Sequence, residues 1–591
     1  MNTAVLKAEY LKILGGMVAV LMVMASACGS SASQVQAPDI QTEPGQSASA
    51  ASPVPVPTPG AATTASDSIV FVTQREPDSL GAWSVGCTGS VPNAVCGEIA
   101  SDPLTWIDGA NFEIVPLSGV ESWSQQASKR WRFNLREDVT FHNGEPWNAA
   151  AAKMGLDYMG DTATSGHGRE AFGLHGVISG EVVDELIVDV VCEVACPILP
   201  RTAILTTFQA PEWWNNASED EQAAMTVGLG PYRIVEHVPG VEVLLESYEG
   251  YKANGAYEAQ APAVKTARQV WHSDPLVRAA MTGSGEGHWA VDIGFENTHA
   301  APVARTGATN EVFTLVADNI WHPELQKKEV RAALAHSVDC HLLMEVLYDG
   351  LQQCIGNISQ WGTVGIGKGN FTPYDYNPGL SRDLLASSGY YHVDYDPETN
   401  NYRVNPSILI HTRLKRVYRG LELFETVVTG WRELGVNAEV VVLEPSKARD
   451  LRRSGCGALQ ADLQLDCVNQ DPPGVGSSAH YYETATSNEA LDMQRQLLLR
   501  ASCHSVNSRV CNLAPGLEGM TFQESIADAV ATPMGPVRQR KMEALAQTIH
   551  DEYWFLPFFV PVQIYGLAHN LDWEPRYDSR IRLNTMRFTE Q

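Results

Sequence analysis

The sequence predicts an α/β protein built from more than one lobe. The stretch "SILIHT" (407–412) has the character of a strand, apolar residues then recur at helical spacing over 421–434, and "NAEVVVL" (437–443) returns to extended structure. Gly435, between the last two stretches, is typical of a helix end. Because single cores rarely grow beyond about 250 to 300 residues, a chain of 591 residues is expected to form two or three lobes around such strand-helix-strand units.

Two further amphipathic helices are predicted from the spacing of apolar residues. Apolar side chains recur every four residues over 330–342, which predicts one continuous helix. A similar pattern over 542–549 predicts a helix near the C-terminus. No repeat with a period of 20 to 50 residues is present, so the sequence does not favour a solenoid or a propeller.

The N-terminus predicts an exported protein. Lysines are followed by an apolar stretch over 13–24 and by small residues at 25–27, the layout of a signal peptide over 1–27. A membrane-spanning helix needs about 20 apolar residues, so this segment is predicted to be removed. Cys28 follows directly, which resembles the lipobox of bacterial lipoproteins, where the cysteine is acylated; Ala25 stands where that motif usually has leucine. The alternative is an ordinary signal peptide with a cysteine there by chance.

Residues 28–65 are predicted to be the lipidated cysteine and a disordered tether. From 29 to 65 there is no aromatic residue, only Asp39 and Glu43 carry charge, and the stretch includes "SPVPVPTPG". Such a composition cannot bury enough apolar surface to offset its chain entropy. We therefore expect a partly extended segment that holds the globular part away from a membrane.

Charge and hydropathy argue against a nucleic-acid-binding protein and against a protein with further membrane spans. The chain has 41 basic and 69 acidic residues, a formal net charge of −28. A field of this sign repels phosphate backbones, so nucleic acid is not an expected partner. After the signal segment no stretch approaches 18 consecutive apolar residues, so no further membrane span is predicted.

The cysteines predict an oxidising compartment. Apart from Cys28 there are ten, all close to another cysteine in sequence, and even number with close spacing favours disulfides that close short loops. The sequence does not define connectivity, so the pairing is a hypothesis from proximity: Cys87 with Cys96, Cys192 with Cys196, Cys340 with Cys354, Cys456 with Cys467, and Cys503 with Cys511. A metal site is the alternative, but no pair has two-residue spacing and no HExxH occurs.

The most specific motif is "PLSGVESWSQQASKRWRFNLREDVTFHNGEPWNAAAAK" (116–153). Trp131, Phe133 and Leu135 alternate with polar residues as in a half-buried strand, and Asn148 is placed to cap a helix. The order Ser-Trp, aromatic strand, Leu-Arg, Phe-His-x-Gly and a helix entered through small residues resembles the extracellular solute-binding proteins of family 5, the peptide- and nickel-binding components of ABC importers. Asn143 replaces the aspartate that is common in that motif.

Five further segments resemble landmarks of the same family and occur in the same order. They are "REPDSL" (75–80), "GLGPYRI" (228–234), "VRAALAHSVD" (330–339), "YDYNPGLSRDLLASSGY" (374–390) and "YWFLPFF" (553–559). Each is weak alone, but together they span nearly all of the chain after the tether. His142, within the first motif, is more typical of a structural hydrogen-bonding group than of a metal ligand.

The resemblance implies a fold like that of periplasmic binding proteins: two α/β lobes around a ligand cleft, of the class II, cluster C type, with an additional insert domain. The predicted division is 66–108, 227–312 and 557–591 for lobe I, 109–226 for insert domain II, and 313–556 for lobe III. The resemblance also implies hinge closure around the ligand.

The same resemblance implies a function without catalysis or a cofactor. The protein is expected to capture a peptide or similar small solute and to deliver it to the permease and ATPase subunits of an ABC importer. It is expected to be a monomer, anchored by lipid outside the cytoplasmic membrane, in the periplasm or on the cell surface. A receptor or an adhesin that works without a transporter stays open as an alternative.

Candidate ligand residues follow from positions in peptide-binding relatives. There a late Gly-Trp-x-x-Asp stretch supplies an aspartate for the peptide amino group; here "LQLDCVNQDPPG" (463–474) places Gln470 or, with a one-residue slip, Asp471 at that position. Arg413 and Arg416, just beyond the strand at 407–412, lie near where relatives place an arginine for the ligand carboxylate, with a solvent-exposed basic loop as the equal alternative. Trp83 is a candidate cleft aromatic, with burial in the core as the equal alternative.

Two other functions remain as alternatives: binding of a metal chelate and hydrolysis of glycosides. In nickel-type relatives a histidine completes the coordination of a chelated metal, and His411 and His480 are the candidates here. A secreted glycoside hydrolase using paired carboxylates is the alternative from another class, since the proximity of carboxylates is spatial and cannot be read from sequence. A serine hydrolase would need a Gly-x-Ser-x-Gly elbow, which is not present.

Overall fold

The structure, a computed structural model, describes most of the chain after the predicted tether. The described residues are 67–84, 87, 91–117, 119–161, 178–254, 259–318, 322, 324–366, 372–390, 395–396, 401–402, 408–413, 417–444, 481–502, 508 and 515–589. Among these residues, no helix has the length and apolar character that a membrane crossing requires. The predicted signal peptide, Cys28 and tether lie outside the described residues.

Strands occur along the whole described chain. In chain order they are β1 (Ser68–Thr73), β2 (Thr105–Ile107), β3 (Ile114–Pro116), β4 (Val120–Ala127), β5 (Arg130–Leu135), β6 (Ile178–Asp184), β7 (Ile187–Cys192), β8 (Tyr232–Val238), β9 (Glu242–Ser247), β10 (Thr266–Trp271), β11 (Trp289–Ala290), β12 (Val303–Ala308), β13 (Glu311–Ala317), β14 (Tyr395–Asp396), β15 (Asn401–Tyr402), β16 (Ile408–Arg413), β17 (Ala438–Leu443), β18 (Tyr481–Ser487), β19 (Phe555–Phe559), β20 (Val562–Leu567), β21 (Leu571–Asp572) and β22 (Arg587–Phe588).

Helices alternate with these strands. In chain order the α-helices are α1 (Ala149–Gly160), α2 (Leu199–Thr202), α3 (Pro211–Asn216), α4 (Glu219–Ala224), α5 (Pro275–Ser284), α6 (Lys328–His336), α7 (Cys340–Tyr348), α8 (Pro378–Ser387), α9 (Gly420–Glu433), α10 (Met493–Gln496), α11 (Phe522–Ala531) and α12 (Pro536–Asp551). The C-terminal helix predicted over 542–549 is therefore confirmed as part of α12.

Two mixed sheets form the framework of two lobes. The sheet of lobe I has seven strands in the order β12-β20-β11-β1-β10-β9-β8, and the sheet of lobe III has five in the order β17-β16-β18-β13-β19. The chain crosses between them twice, from β12 to β13 through residues 309–310 and from β19 to β20 through residues 560–561. The predicted α/β class is confirmed; the exact domain limits stay a prediction.

The predicted strand-helix-strand unit is confirmed in lobe III. β16 and β17 are parallel neighbours, with Ile408 opposite Ala438, and α9 connects them. The apolar face of α9 is buried, with Trp431 at 0% exposure. Gly435, just after the helix, has φ +84°, the left-handed conformation that glycine adopts most easily.

The single helix predicted over 330–342 is wrong, because the chain forms two helices there. α6 ends at His336, and α7 begins at Cys340 after Asp339, whose side chain accepts a hydrogen bond from the backbone N–H of Leu342. Val338 lies between the helices yet is only 5% exposed. The apolar spacing therefore marks a common core and does not require an unbroken helix.

Helices cover both faces of the lobe III sheet because side chains alternate along each strand. Phe313 and Leu315 of β13 pack in a core with α6, α7 and α9. Val316 points to the other face and packs with α10, α11 and α12. A strand buried on both faces is the arrangement expected inside a three-layer α/β lobe.

A third sheet, in the order β4-β5-β7-β6, lies in the part predicted as the insert domain. The alternation predicted for β5 is confirmed, since Phe133 and Leu135 are 0% and 3% exposed. The cap predicted for α1 is confirmed as well: the side chain of Asn148 accepts a hydrogen bond from Ala151 N–H.

His142 connects the first motif to the "GLGPYRI" segment. Its Nδ1 accepts a hydrogen bond from Gly228 N–H at 3.3 Å, so Nε2 carries the proton that it donates to the Gly230 carbonyl at 3.0 Å. Burial lowers the pKa of His142 to about 4. The ring is therefore neutral and structural, as the sequence predicted.

Three of the five predicted cysteine pairs are brought together. The sulfur atoms of each pair lie within bonding distance, and the Cα atoms are 5.7, 6.4 and 6.1 Å apart for Cys87–Cys96, Cys192–Cys196 and Cys340–Cys354. The pairs 456/467 and 503/511 fall outside the described residues and stay predictions.

Candidate functional site

The strand directions identify a space between the two sheets. In lobe I, β10 and β11 are parallel to β1, and β20 is antiparallel to both β11 and β12. Therefore β1, β10 and β11 run in the same direction as β12, which ends at the first crossing. Their carboxyl ends point toward lobe III.

The strands of lobe III point back toward the same space. β13 begins at the first crossing, and β18 is antiparallel to it, while β16 is parallel to both β17 and β18. The carboxyl ends of β16, β17 and β18 consequently point toward lobe I. Open α/β sheets bind ligands outside the carboxyl ends of their parallel strands, so the space that both sets of ends face is the candidate site, here called the cleft.

An aromatic pair connects the two sides of the cleft. The ring of Phe295, in the segment that follows β11, lies 5.5 Å from the ring of Tyr418, just before α9. Tyr418 is 46% exposed. The two lobes therefore touch beside the cleft through side chains that solvent still reaches.

Arg413 is the last residue of β16 and lies at the cleft edge of lobe III. Its Nε donates a hydrogen bond to Glu483 Oε1 at 2.5 Å, and Thr412 donates to the other oxygen of that carboxylate at 3.4 Å. The side chain of Glu483 is 2% exposed, whereas that of Arg413 is 23% exposed. Glu483 thus orients a guanidinium that a solute can still reach.

Two further arginines, which the sequence analysis did not identify, belong to the same region. Burial lowers the pKa of Arg500, and the charges of Arg495 and Arg413 lower it further. The enclosed Nε of Arg500 has no hydrogen-bond partner among the described residues. No sequence pattern placed these two arginines beside Arg413, because their proximity depends on the tertiary structure.

A network of charges continues from lobe III into lobe I. Arg495 Nε contacts Glu489 Oε2 at 3.1 Å. Burial raises the pKa of Glu489, but the positive charges of Arg495 and Arg580 contribute to a net lowering of that pKa. Arg580 in turn lies 3.5 Å from Glu98. These groups, from chain segments far apart in sequence, place alternating charges across the inter-lobe face.

The lobe I end of this network is buried. Arg582 Nη2 donates to Asp102 Oδ1 at 2.7 Å, with both side chains 1% exposed or less. Arg576, Arg580 and Arg582 all lie over the ring of Trp106, at 5.0 to 5.4 Å from its centroid. Fixing three arginines on one indole gives this side of the interface a rigid support.

Glu98, in this network, has a strongly raised pKa. Burial raises its pKa to about 7, against the opposing positive charges of Arg580 and Arg582. The carboxyl is 5% exposed. Its charge therefore changes near neutral pH.

The remaining predicted site residues are placed as follows. Trp83 is 3% exposed, stacks on Tyr158 at 4.3 Å, and donates from Nε1 to the Thr207 carbonyl at 2.9 Å. This is the packing of a core residue, one of the two alternatives, and it leaves almost no ring surface for a ligand. Arg416, Asp471, His480 and Cys28 lie outside the described residues and stay predictions.

His411 lies two residues before Arg413 on the same face of β16, half-buried, and burial lowers its pKa. A neutral imidazole can bind a metal. However, the described residues contain no cluster of three or more His, Cys, Asp or Glu side chains suited to holding a metal ion. His411 thus does not belong to a metal-binding cluster formed by the described residues.

Two lobes, two crossings and a cleft at facing carboxyl ends define the class of two-lobed periplasmic-type binding proteins. A family model described as "Bacterial extracellular solute-binding proteins, family 5 Middle" matches residues 113–479, more than half of the chain. The chain belongs to this family, and the family resemblance inferred from sequence motifs is confirmed.

Individual proteins are similar to this chain over part of its length, at about 25% identity. The glutathione-binding protein GsiB of Pectobacterium atrosepticum is 25% identical over 276 residues, which cover 43% of this chain and 49% of that protein. The nickel-binding periplasmic protein of Escherichia coli is 24% identical over 294 residues, covering 48% and 54%. The chain therefore spans about half the length of these relatives.

The fold is similar to that of a solved binding protein. The ABC transporter-associated periplasmic binding protein DppA from Helicobacter pylori, in complex with peptide STSA, superposes with a TM-score of 0.65 at 16% identity, covering 88% of this chain and 98% of that chain. This similarity confirms the predicted fold class.

Proposed function

We propose that the protein captures a small solute in the cleft and delivers it to the permease and ATPase subunits of an ABC importer. The observation that carries this proposal is the convergence of carboxyl ends from two sheets that are joined, among the described residues, by two crossings. Such a connection favours hinge closure around a ligand. Membership in a family of solute-binding proteins supports it, and no catalytic step is needed.

We further propose that the solute is a peptide or a similar molecule with a carboxylate. Arg413 is half-buried and anchored through Nε by Glu483, which leaves the guanidinium pre-oriented, and arginine pairs well with carboxylates. The adjacent positive charge of Arg500 favours an anionic group at the same place. Arg416 and Asp471 are proposed as further ligand contacts on the basis of family position.

The first experiment combines native mass spectrometry of the domain from Asp67 onward with a variant of Arg413. A co-purifying peptide is expected, and Arg413→Gln is expected to weaken binding of that peptide about 30-fold or more, the loss that follows from removing one partner of a desolvated charge pair. The C-terminally amidated peptide is expected to show a much smaller change, because it has no carboxylate for Arg413.

Arg382→Gln is the matched control, since Arg382 is exposed on α8. Thermal unfolding of both variants separates loss of affinity from loss of fold. Equal affinities of the Arg413 variant and the native protein for the free peptide would refute the role of Arg413. A bound transition-state mimic of glycoside hydrolysis, with no transportable solute found, would refute capture itself.

A chelated metal is the second candidate solute. The nickel-binding relative and the half-buried His411 beside Arg413 support it, and His480 is proposed as its partner. The same mass spectrum distinguishes the two, because a metal chelate has a characteristic isotope pattern. His411→Gln is then expected to release the chelate while peptide binding is unaffected.

We also propose that Cys28 is acylated and, with residues 1–27 removed, becomes the new N-terminus, so that the monomer is anchored outside the cytoplasmic membrane. The sequence from the apolar stretch to the tether supports this. Cys28→Ser is expected to release the protein into the soluble fraction. Retention of that variant in the membrane fraction would contradict the anchor.

A further inference from the structure

A second cavity lies beside the two crossings, at the outer edge of the lobe I sheet. Its volume is about 310 Å³. β12, an end strand of the described sheet, contributes Thr306 and its neighbours, and the second crossing contributes Val560 and Val562. This hinge-side cavity is thus beside the end of β12, and Leu351, Gln353, Gln360 and Trp361, from the part predicted as lobe III, also contribute to its lining.

The described lining of the hinge-side cavity has no charged side chain and three aromatic rings, those of Phe112, Trp361 and Tyr577. Phe112 and Tyr577 meet edge to face, with centroids 5.0 Å apart. Trp361 is 43% exposed, so it lies at the mouth. An uncharged ligand with an apolar or aromatic part fits such walls.

Unpaired polar groups lie in the wall of the same cavity. Gln360 is 4% exposed, yet neither its Oε1 nor its Nε2 has a hydrogen-bond partner among the described residues, and the same holds for the buried hydroxyl of Tyr577. Buried polar atoms are nearly always paired, and an unpaired one lowers stability. Gln360 therefore places an unpaired amide N–H and an unpaired amide oxygen in the wall of the cavity, both closed to solvent in this structure.

The group that complements a carboxamide is another amide, which offers an acceptor to the N–H and a donor to the oxygen. The backbone of β12 provides more groups of this kind. Only one side of this end strand pairs with β20, and the other side of a strand carries backbone N–H and C=O groups able to pair with an extended peptide.

We propose that the hinge-side cavity is a binding site for an uncharged amide, either a peptide bond or a primary carboxamide, carried by an apolar or aromatic solute. The volume lies at the lower end of the range of ligand pockets, which limits the bound part to one or two residues. This site is additional to the cleft and does not depend on the proposed solute of the cleft.

The test uses N-acetyl-L-phenylalaninamide as the probe and N-acetyl-L-phenylalanine, which is charged at neutral pH, as its matched counterpart. Titration calorimetry is expected to show binding of the amide and at least about 10-fold weaker binding of the acid. The amide is also expected to change tryptophan fluorescence, and Trp361→Phe is expected to remove that change, which assigns it to the mouth of the cavity.

Gln360→Leu is expected to weaken binding of the amide about 10-fold or more without lowering the thermal midpoint, since leucine leaves no unpaired amide. Gln547→Leu is the control, because Gln547 is exposed on α12. Arg413→Gln is expected to bind the probe normally, which separates this cavity from the cleft. No binding at millimolar probe, equal binding of the acid, or equal binding by the Gln360 variant would each overturn the proposal.

Discussion

Replacing Arg538 with alanine is expected to lower the free energy of unfolding by about 3 to 5 kcal/mol, the typical loss when one partner of a buried ion pair is removed. Arg538 and Asp492 are both 0% exposed and are joined by a 2.9 Å contact. Arg538 Nη1 also donates to the carbonyls of Ala529, Val530 and Thr532 at 2.9 to 3.0 Å. Without the guanidinium, the last carbonyls of α11 lose a donor, and the buried Asp492 carboxylate loses its charged partner while keeping the hydrogen bond from Gln494 N–H.

Urea unfolding followed by circular dichroism measures this loss as a shift of the midpoint. Arg540→Ala is the matched control, because Arg540 is two residues further along α12 and exposed. The double variant Arg538→Met with Asp492→Leu is expected to recover part of the stability, since it removes both charges of the pair, while the buried Arg201 loses the nearby negative charge of Asp492. Similar midpoints for Arg538→Ala and Arg540→Ala would contradict the proposed role of the pair.

Glu98→Gln is expected to become progressively more stable than the native protein as the pH rises from 4.5 to about 7. A buried carboxyl with a pKa near 7, against 4.5 for the free group, binds its proton more tightly in the folded state. The contribution of Glu98 to the free energy of unfolding is therefore most favourable below pH 4.5, and this advantage is lost as the pH rises through 7. The accumulated difference is on the order of 3 kcal/mol.

The measurement is the difference in unfolding free energy between the two proteins at several pH values. His142 gives a slope of the opposite sign, because its lowered pKa costs stability as the pH falls toward 4, but it is present in both proteins and cancels. Glu249→Gln, at an exposed site, is expected to show no comparable trend. Parallel pH curves for the native protein and Glu98→Gln would show that Glu98 titrates normally.

Local patterns predicted much of the fold. The unit β16-α9-β17 followed from strand propensity, helical spacing and Gly435, and the α1 cap followed from Asn148, because each signal acts over a few residues. The break between α6 and α7 was missed, since the cap at Asp339 competes with an apolar spacing that continues through Val338. Where two local signals disagree, packing decides the outcome.

The sequence by itself determined the α/β class, the family and the position of Arg413 next to a strand, because these depend on composition, on short motifs and on periodicity. Only the tertiary structure brought Glu98, Arg580 and Glu489 together and left both amide atoms of Gln360 unpaired beside a cavity. Such arrangements depend on contacts between segments hundreds of residues apart, and neither spacing nor composition encodes distances of that kind.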